Sequence, residues 1–241
     1  MRAFSMKNTK ISAILLSMRL YLEGHLYYFS PIFAAIAFLA SLTIFKGTGS
    51  PRYLKTFSFF LLINLITETI SAIQDAYVIN NLLFVNLVTV FEFTFYIYFV
   101  REIIRNRQVK RVLLFCLIIY PAVFLVNTLL IQGSVVFHSM TYALGCLLIV
   151  LSCVYYFWEL FQQTDSVNLS RQPAFWISSG LLFYYACTFP FYGTTNLVSA
   201  LPKVILKNLL FIFVLLNILQ YLSFTIAFLC RPRNRKSMSS Y

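Results

Sequence analysis

The chain has 241 residues, of which 60% are hydrophobic and only 11% are charged, where a soluble domain usually carries about 25% charged residues. No stretch is long and polar enough for a separate soluble domain, so the composition describes an integral membrane protein. The net charge of +12 does not point to nucleic acid, because the basic residues stand in short clusters between apolar runs. That is the pattern of topology signals facing anionic membrane lipids.

Residues 1–26 place Arg2, Lys7, Lys10 and Arg19 around a short apolar run, Ile11–Met18. The run has the length of a signal-peptide core, but no small-residue cleavage site follows it and Arg19 interrupts. The segment reads as a surface-lying amphipathic stretch or a leader, with Met18 as an alternative start to Met1. A membrane domain is expected over 27–230 and a short basic tail over 231–241.

Seven apolar runs follow, each near the roughly 20 residues needed to cross the hydrocarbon. They are Tyr27–Phe45, Tyr53–Gln74, Asn81–Val100, Val112–Ile131, Val135–Phe161, Ala174–Tyr192 and Val204–Cys230. The runs are continuous rather than alternating, which predicts helices and not barrel strands. The expected fold is all-α, a polytopic bundle of seven transmembrane helices, and the helical spans favour a bacterial inner membrane. Aromatic residues such as Tyr27, Tyr53, Trp158, Trp176 and Tyr192 cluster near span ends, where rings favour the interface. Pro121 and Pro190 lie inside spans 4 and 6 and predict kinks. Ala34, Ala37, Ala40 and Ser41 in span 1 predict close helix contact.

Lys and Arg counts set the orientation. Thirteen fall on one side: Lys46, Arg52 and Lys55; Arg101, Arg105, Arg107, Lys110 and Arg111; Arg171; and Arg231, Arg233, Arg235 and Lys236. The other side has six, Lys203 and Lys207 plus the four of the N-terminal segment. The C-terminus is therefore expected in the cytoplasm and the N-terminus outside. The basic N-terminal segment argues the other way, a conflict that a start at Met18 would largely remove.

The informative residues are polar ones within apolar runs. Glu92 stands near the middle of span 3, where a carboxylate costs a few kcal/mol unless it is paired, protonated or facing a cavity. Asn64, Thr67, Glu68, Ser71 and Asp75 in span 2 fall within a face roughly 100° wide at about 100° per residue. Asn86, Thr89, Glu92 and Tyr96 in span 3 fall within a face about 120° wide by the same arithmetic. A short connection makes the two spans antiparallel neighbours, so Glu68 and Glu92 should share a region. Close carboxylates cannot both ionise cheaply, so one is expected to be protonated or matched by a cation. Lys207 could reach inwards towards Asp75 or Glu68. His138, Tyr184, Tyr185 and Thr188 add polar groups in the outer half. The candidate ligand-binding set is Glu68, Glu92, Asn64, Asn86, Asp75, His138 and Tyr185. For Asn64, Asn86, Asn127 and Asn217 the simpler reading is hydrogen bonding between helices, and for His138 it is an interfacial histidine.

No catalytic arrangement is expected. Ser178, Ser179 and Gly180 lack a matching histidine, and His25 and His138 are the two histidines of the chain. There is no HExxH or Gly-rich phosphate loop, and neither metal nor cofactor is expected. Lys203 and Lys207 lie too near the start of span 7 for a mid-helix Schiff base. Cys116, Cys146, Cys153, Cys187 and Cys230 lie in or beside apolar runs and read as small buried hydrophobes, with Cys230 beside Arg231 as a weaker candidate for lipidation. No internal repeat of the transporter kind is evident.

The stretch that starts at Asn81 and runs to Glu92-Phe93-Thr94-Phe95-Tyr96, ahead of a basic loop, resembles the heptahelical sensor domains found upstream of bacterial histidine kinases and cyclases. Phe175-Trp176-Ile177-Ser178-Ser179-Gly180 through Tyr185, at the start of span 6, adds to the resemblance, which covers the whole membrane region. The resemblance implies a non-catalytic sensor or receptor for a small ligand or a membrane property. In such sensors the last helix continues into a signalling domain, whereas this sequence ends at Tyr241. A separate signalling partner would then be reached through Arg101, Arg105, Arg107, Arg111 and Arg231, with membrane lipids as the other partners. The alternatives are a small proton-coupled transporter using the same carboxylates and a structural subunit of a membrane complex.

Overall fold

The computed structural model describes residues 30–46, 51–77, 82–131, 137–162, 169–193 and 203–230. The N-terminal segment 1–26 and the tail with Arg231 lie outside the described residues, as do the side chains of Asp75, Lys203 and Lys207. Among the described residues every regular element is helical. In chain order they are α1 (Ser30–Phe45), α2 (Arg52–Ala76), α3 (Leu82–Ile103), α4 (Arg107–Val126), α5 (Ser139–Phe161), α6 (Pro173–Gly193) and α7 (Lys203–Leu229). The last turn of α1 tightens into a 3-10 helix, Leu42–Lys46, and α4 runs on into a π-helical turn, Asn127–Ile131.

Six helices, α2 to α7, are long and apolar enough to cross a membrane, and α1 is a shorter apolar helix. Helices satisfy their own backbone groups, which lipid cannot do, so apolar runs of this length take this form. Large apolar side chains also point outwards, among them Phe115, Ile118, Leu129, Phe183 and Phe211. An all-α, multi-pass membrane bundle follows from these two observations together.

Local chemistry sets the ends. Pro173 occupies the first position of α6, where a missing N–H is harmless. The Asn106 side chain accepts a hydrogen bond from the Gln108 amide at 2.8 Å and caps α4. That cap starts α4 at Arg107, five residues before the apolar run begins at Val112. The polar first turn was invisible to a search for apolar residues alone. Pro121 and Pro190 both sit inside helices that continue past them.

Helix α3 contacts α2, α4 and α5, and α6 packs broadly on both α5 and α7. Of the four small residues of α1, Ala34, Ala37 and Ser41 are fully buried and Ala40 is half-buried. Gly145 of α5 faces Phe93 and Tyr120 so closely that an added Cβ would stand 2.7 Å from the Phe93 ring. Gly180 of α6 meets Ser223 of α7, where an added Cβ would stand 2.9 Å from the serine Cβ. Both glycines let neighbouring helices approach.

The interior divides into two halves. Towards the end that carries Arg101–Arg111, here the basic end, it is a cluster of phenylalanines. Phe57 contacts Phe60, Phe95, Phe99, Phe224 and Phe228, with ring centroids 5.1–6.0 Å apart. Phe60 and Phe95 stack in parallel at 4.0 Å. Towards the opposite end the rings are mostly tyrosines, and polar side chains stand among them.

Candidate functional site

The polar half is assembled from α2 to α7, with Ser30 of α1 at its edge. Tyr221 of α7 links two polar residues of α2: Asn64 Nδ2 donates to its hydroxyl at 2.9 Å, and the hydroxyl donates to Glu68 Oε1 at 3.1 Å. Ser30 of α1 lies beside Glu68 and donates its one proton to Asn217 Oδ1 at 3.3 Å. Glu68 is therefore tied to α7 by the neutral Tyr221 hydroxyl.

Glu92 is held differently. On α3 it lies about 180° from lipid-facing Leu83 and about 100° from Phe91, on the side of buried Phe93 and Tyr96. Glu92 is half-buried, as is Thr89 on the same arc. Among the described residues no side chain donates a hydrogen bond to it. Tyr96, Tyr120, Tyr142, Tyr184, Tyr185 and Tyr221 lie near it, as does Glu68. The two carboxylates therefore share one region, as the facing stripes of α2 and α3 predict.

The tyrosines form a connected wall. Tyr185 is buried and packs on Phe93, Tyr96 and Tyr184 with centroids 5.0–5.9 Å apart. Tyr142 and Tyr184 hydrogen-bond through their side chains, and Tyr142 lies 4.1 Å from Tyr192, centroid to centroid. Tyr120 donates to the Thr141 carbonyl at 3.3 Å. The hydroxyls and ring faces place hydrogen-bonding groups and π faces beside Glu92.

The four asparagines bridge helices. Asn64 joins α2 to α7, and Asn217 joins α7 to α1. Asn86 Oδ1 accepts from the His138 amide at 3.2 Å, joining α3 to the start of α5. Asn127 Nδ2 donates to Thr141 Oγ1 at 2.9 Å, joining the end of α4 to α5. Asn64 and Asn86 belong to the candidate set and make these bonds between helices. His138, at the start of α5, is buried against its neighbours. Its ring packs on Phe124 at 5.2 Å, with Nδ1 3.5 Å from the Thr128 hydroxyl. Asp75 stands at the end of α2 away from the basic end, and its side chain lies outside the described residues.

Sequence reasoning passed over Tyr221, Tyr142 and Tyr120. Tyr221 had a usable signal: it follows Asn217 by four residues and so shares its helix face. It also passed over Glu159, at the basic end of α5. The Glu159 carboxylate accepts from the backbone amides of Arg105 and Asn106, both at 2.8 Å, and the Tyr155 hydroxyl accepts from Asn106 Nδ2 at 3.0 Å. This clasp fixes the α3–α4 turn within the basic loop.

Comparison of the chain with protein-family models, curated proteins and solved structures gives no match.

Proposed function

We propose that the chain is a seven-helix, non-catalytic membrane protein of sensor or receptor type, with α1 completing a seventh crossing. A small ligand is received beside Glu92 and the tyrosine wall, and the basic end passes the signal to a partner. The carrying observation is the inward-facing, half-buried Glu92, which has no described side-chain hydrogen-bond donor and lies near the tyrosines of α3 to α7. A carboxylate kept in that setting at a cost of a few kcal/mol suits a binding role better than a packing role. Signalling requires that the ligand favour one of two helix arrangements. The clasped α3–α4 turn, with Arg101, Arg105, Arg107 and Arg111 near it, gives α3 a rigid handle on the partner. The basic end faces the cytoplasm of a bacterial inner membrane in this reading, with the C-terminus inside.

The test is affinity purification from native membranes in a mild detergent, with the wild type beside a variant carrying Arg107→Glu and Arg111→Glu. A kinase or regulator recovered with the wild type and lost with the variant supports the sensor reading. A solitary wild-type protein that drives solute uptake into liposomes under a pH gradient would replace it with a transporter.

A further inference from the structure

A second site lies at the basic end, away from Glu92. A cavity of about 330 Å³ opens between the ends of α2, α3, α5 and α6, within the roughly 300–1,000 Å³ of small-ligand pockets. Arg105 and Arg171 line it from two different connections, and both are exposed side chains. Among the described residues neither guanidinium has a carboxylate partner within ion-pair distance. Glu102 also lines the cavity, but Arg101 pairs with it at 2.9 Å. The Glu159 carboxylate nearby is occupied by the two backbone amides of the clasp. The local balance therefore stays positive.

The helices add to it. The first residues of α2 and α6 line the same cavity, through Tyr53 and through Pro173 and Ala174. Neither helix has an acidic residue in its first turn, so both positive dipole ends are uncompensated. Tyr156 and Leu160 supply an apolar wall beside the two guanidiniums. Arginine is suited to phosphate because its planar fork donates two parallel hydrogen bonds.

We infer that this cavity binds a phosphate group, as carried by an acidic phospholipid headgroup at the membrane surface or by free phosphate. Arg105 and Arg171 grip the phosphate oxygens, and the apolar wall accommodates the glycerol side. The inference stands apart from the reading of Glu92, and neither depends on the other.

The test uses the purified full-length chain in detergent micelles, with native mass spectrometry counting retained phosphatidylglycerol or phosphatidylcholine. The wild type should retain one phosphatidylglycerol in preference to phosphatidylcholine. Arg105→Gln with Arg171→Gln should weaken that retention by about tenfold or more, the size of losing a charge-assisted contact. Arg107→Gln with Arg111→Gln removes the same charge from the same end without touching the cavity, and should retain the lipid. A thermal melt checks that each variant folds; if the double variant does not, Arg171→Gln alone takes its place. Millimolar inorganic phosphate displacing the lipid would identify free phosphate as a ligand, and lack of displacement identifies the lipid headgroup. Equal retention by the wild type and the cavity variant would overturn the inference, as would an equal loss in the Arg107/Arg111 control.

Discussion

The phenylalanine half of the bundle interior is built on α2, α3 and α7 and the tyrosine half on α3 to α7, and the two differ mainly in their hydroxyls. Around Phe57 the rings fill space and meet edge to face, geometry worth about 0.5–1.5 kcal/mol per pair beyond area burial. Around Glu92 the tyrosine rings bring hydroxyls to an inward-facing, half-buried carboxylate. The first region holds helices together, and the second keeps polar groups available inside an apolar protein. The two carboxylates Glu92 and Glu159 repeat the contrast on a smaller scale. Glu159 has both oxygens filled by backbone amides, whereas Glu92 has no described donor.

The contrast can be broken most directly at Phe57. Phe57→Ala should remove about 3–5 kcal/mol, the range for deleting a buried phenylalanine. Thermal melting in detergent should show a larger drop for it than for any of the substitutions that follow. Gly145→Ala comes next. Its new methyl meets Phe93 at 2.7 Å and the Tyr120 hydroxyl at 2.8 Å, and both rings are buried. Overpacking should cost about 1–3 kcal/mol, more than the up to about 1 kcal/mol that alanine gains over glycine in a helix. A melting temperature above the wild type would show that the α3–α5 contact is looser than these distances.

Glu159→Ala should also cost about 1–3 kcal/mol, because it strips the acceptors from the amides of Arg105 and Asn106. Amide hydrogen exchange should rise at 105 and 106 and stay unchanged around Tyr221. Tyr221→Phe is the smaller loss, about 0.6 kcal/mol by the average for hydrogen bonds between membrane helices. Denaturant titration of the reconstituted protein can read it. Glu92→Gln sharpens the comparison with the opposite sign: stability should hold or rise slightly, since a costly carboxylate is removed and no described bond is lost. A clear destabilisation would mean that Glu92 is a structural residue like Glu159.

Some span boundaries were legible because they depend on local hydrophobic length: α3 begins within one residue of the expected Asn81, and α6 differs by one residue at each end, whereas α4 starts five residues early and α5 four residues late. The meeting of Glu68 and Glu92 was also legible, from two helical stripes and a short connection. Tyr221 was harder. A tyrosine in an apolar run reads as one more aromatic ring until its partner on α2 is known. Glu159 was hidden for a similar reason, since its function is to hold backbone amides, which have no sequence signature.

Helix formation, the basic end and the polar stripes were determined by the sequence alone, because hydrogen bonding within a helix, apolar length and a period of 3.6 residues are local properties. Which asparagine bridges which helices, that His138 is buried against its neighbours, and that Arg105 and Arg171 share a cavity were decided only in the tertiary structure. In lipid, apolar helices gain nothing from hiding apolar surface from one another. Their arrangement follows from close packing and hydrogen bonds between residues far apart in the chain. The pairing of Asn64 with Tyr221, 157 residues apart, is one such contact.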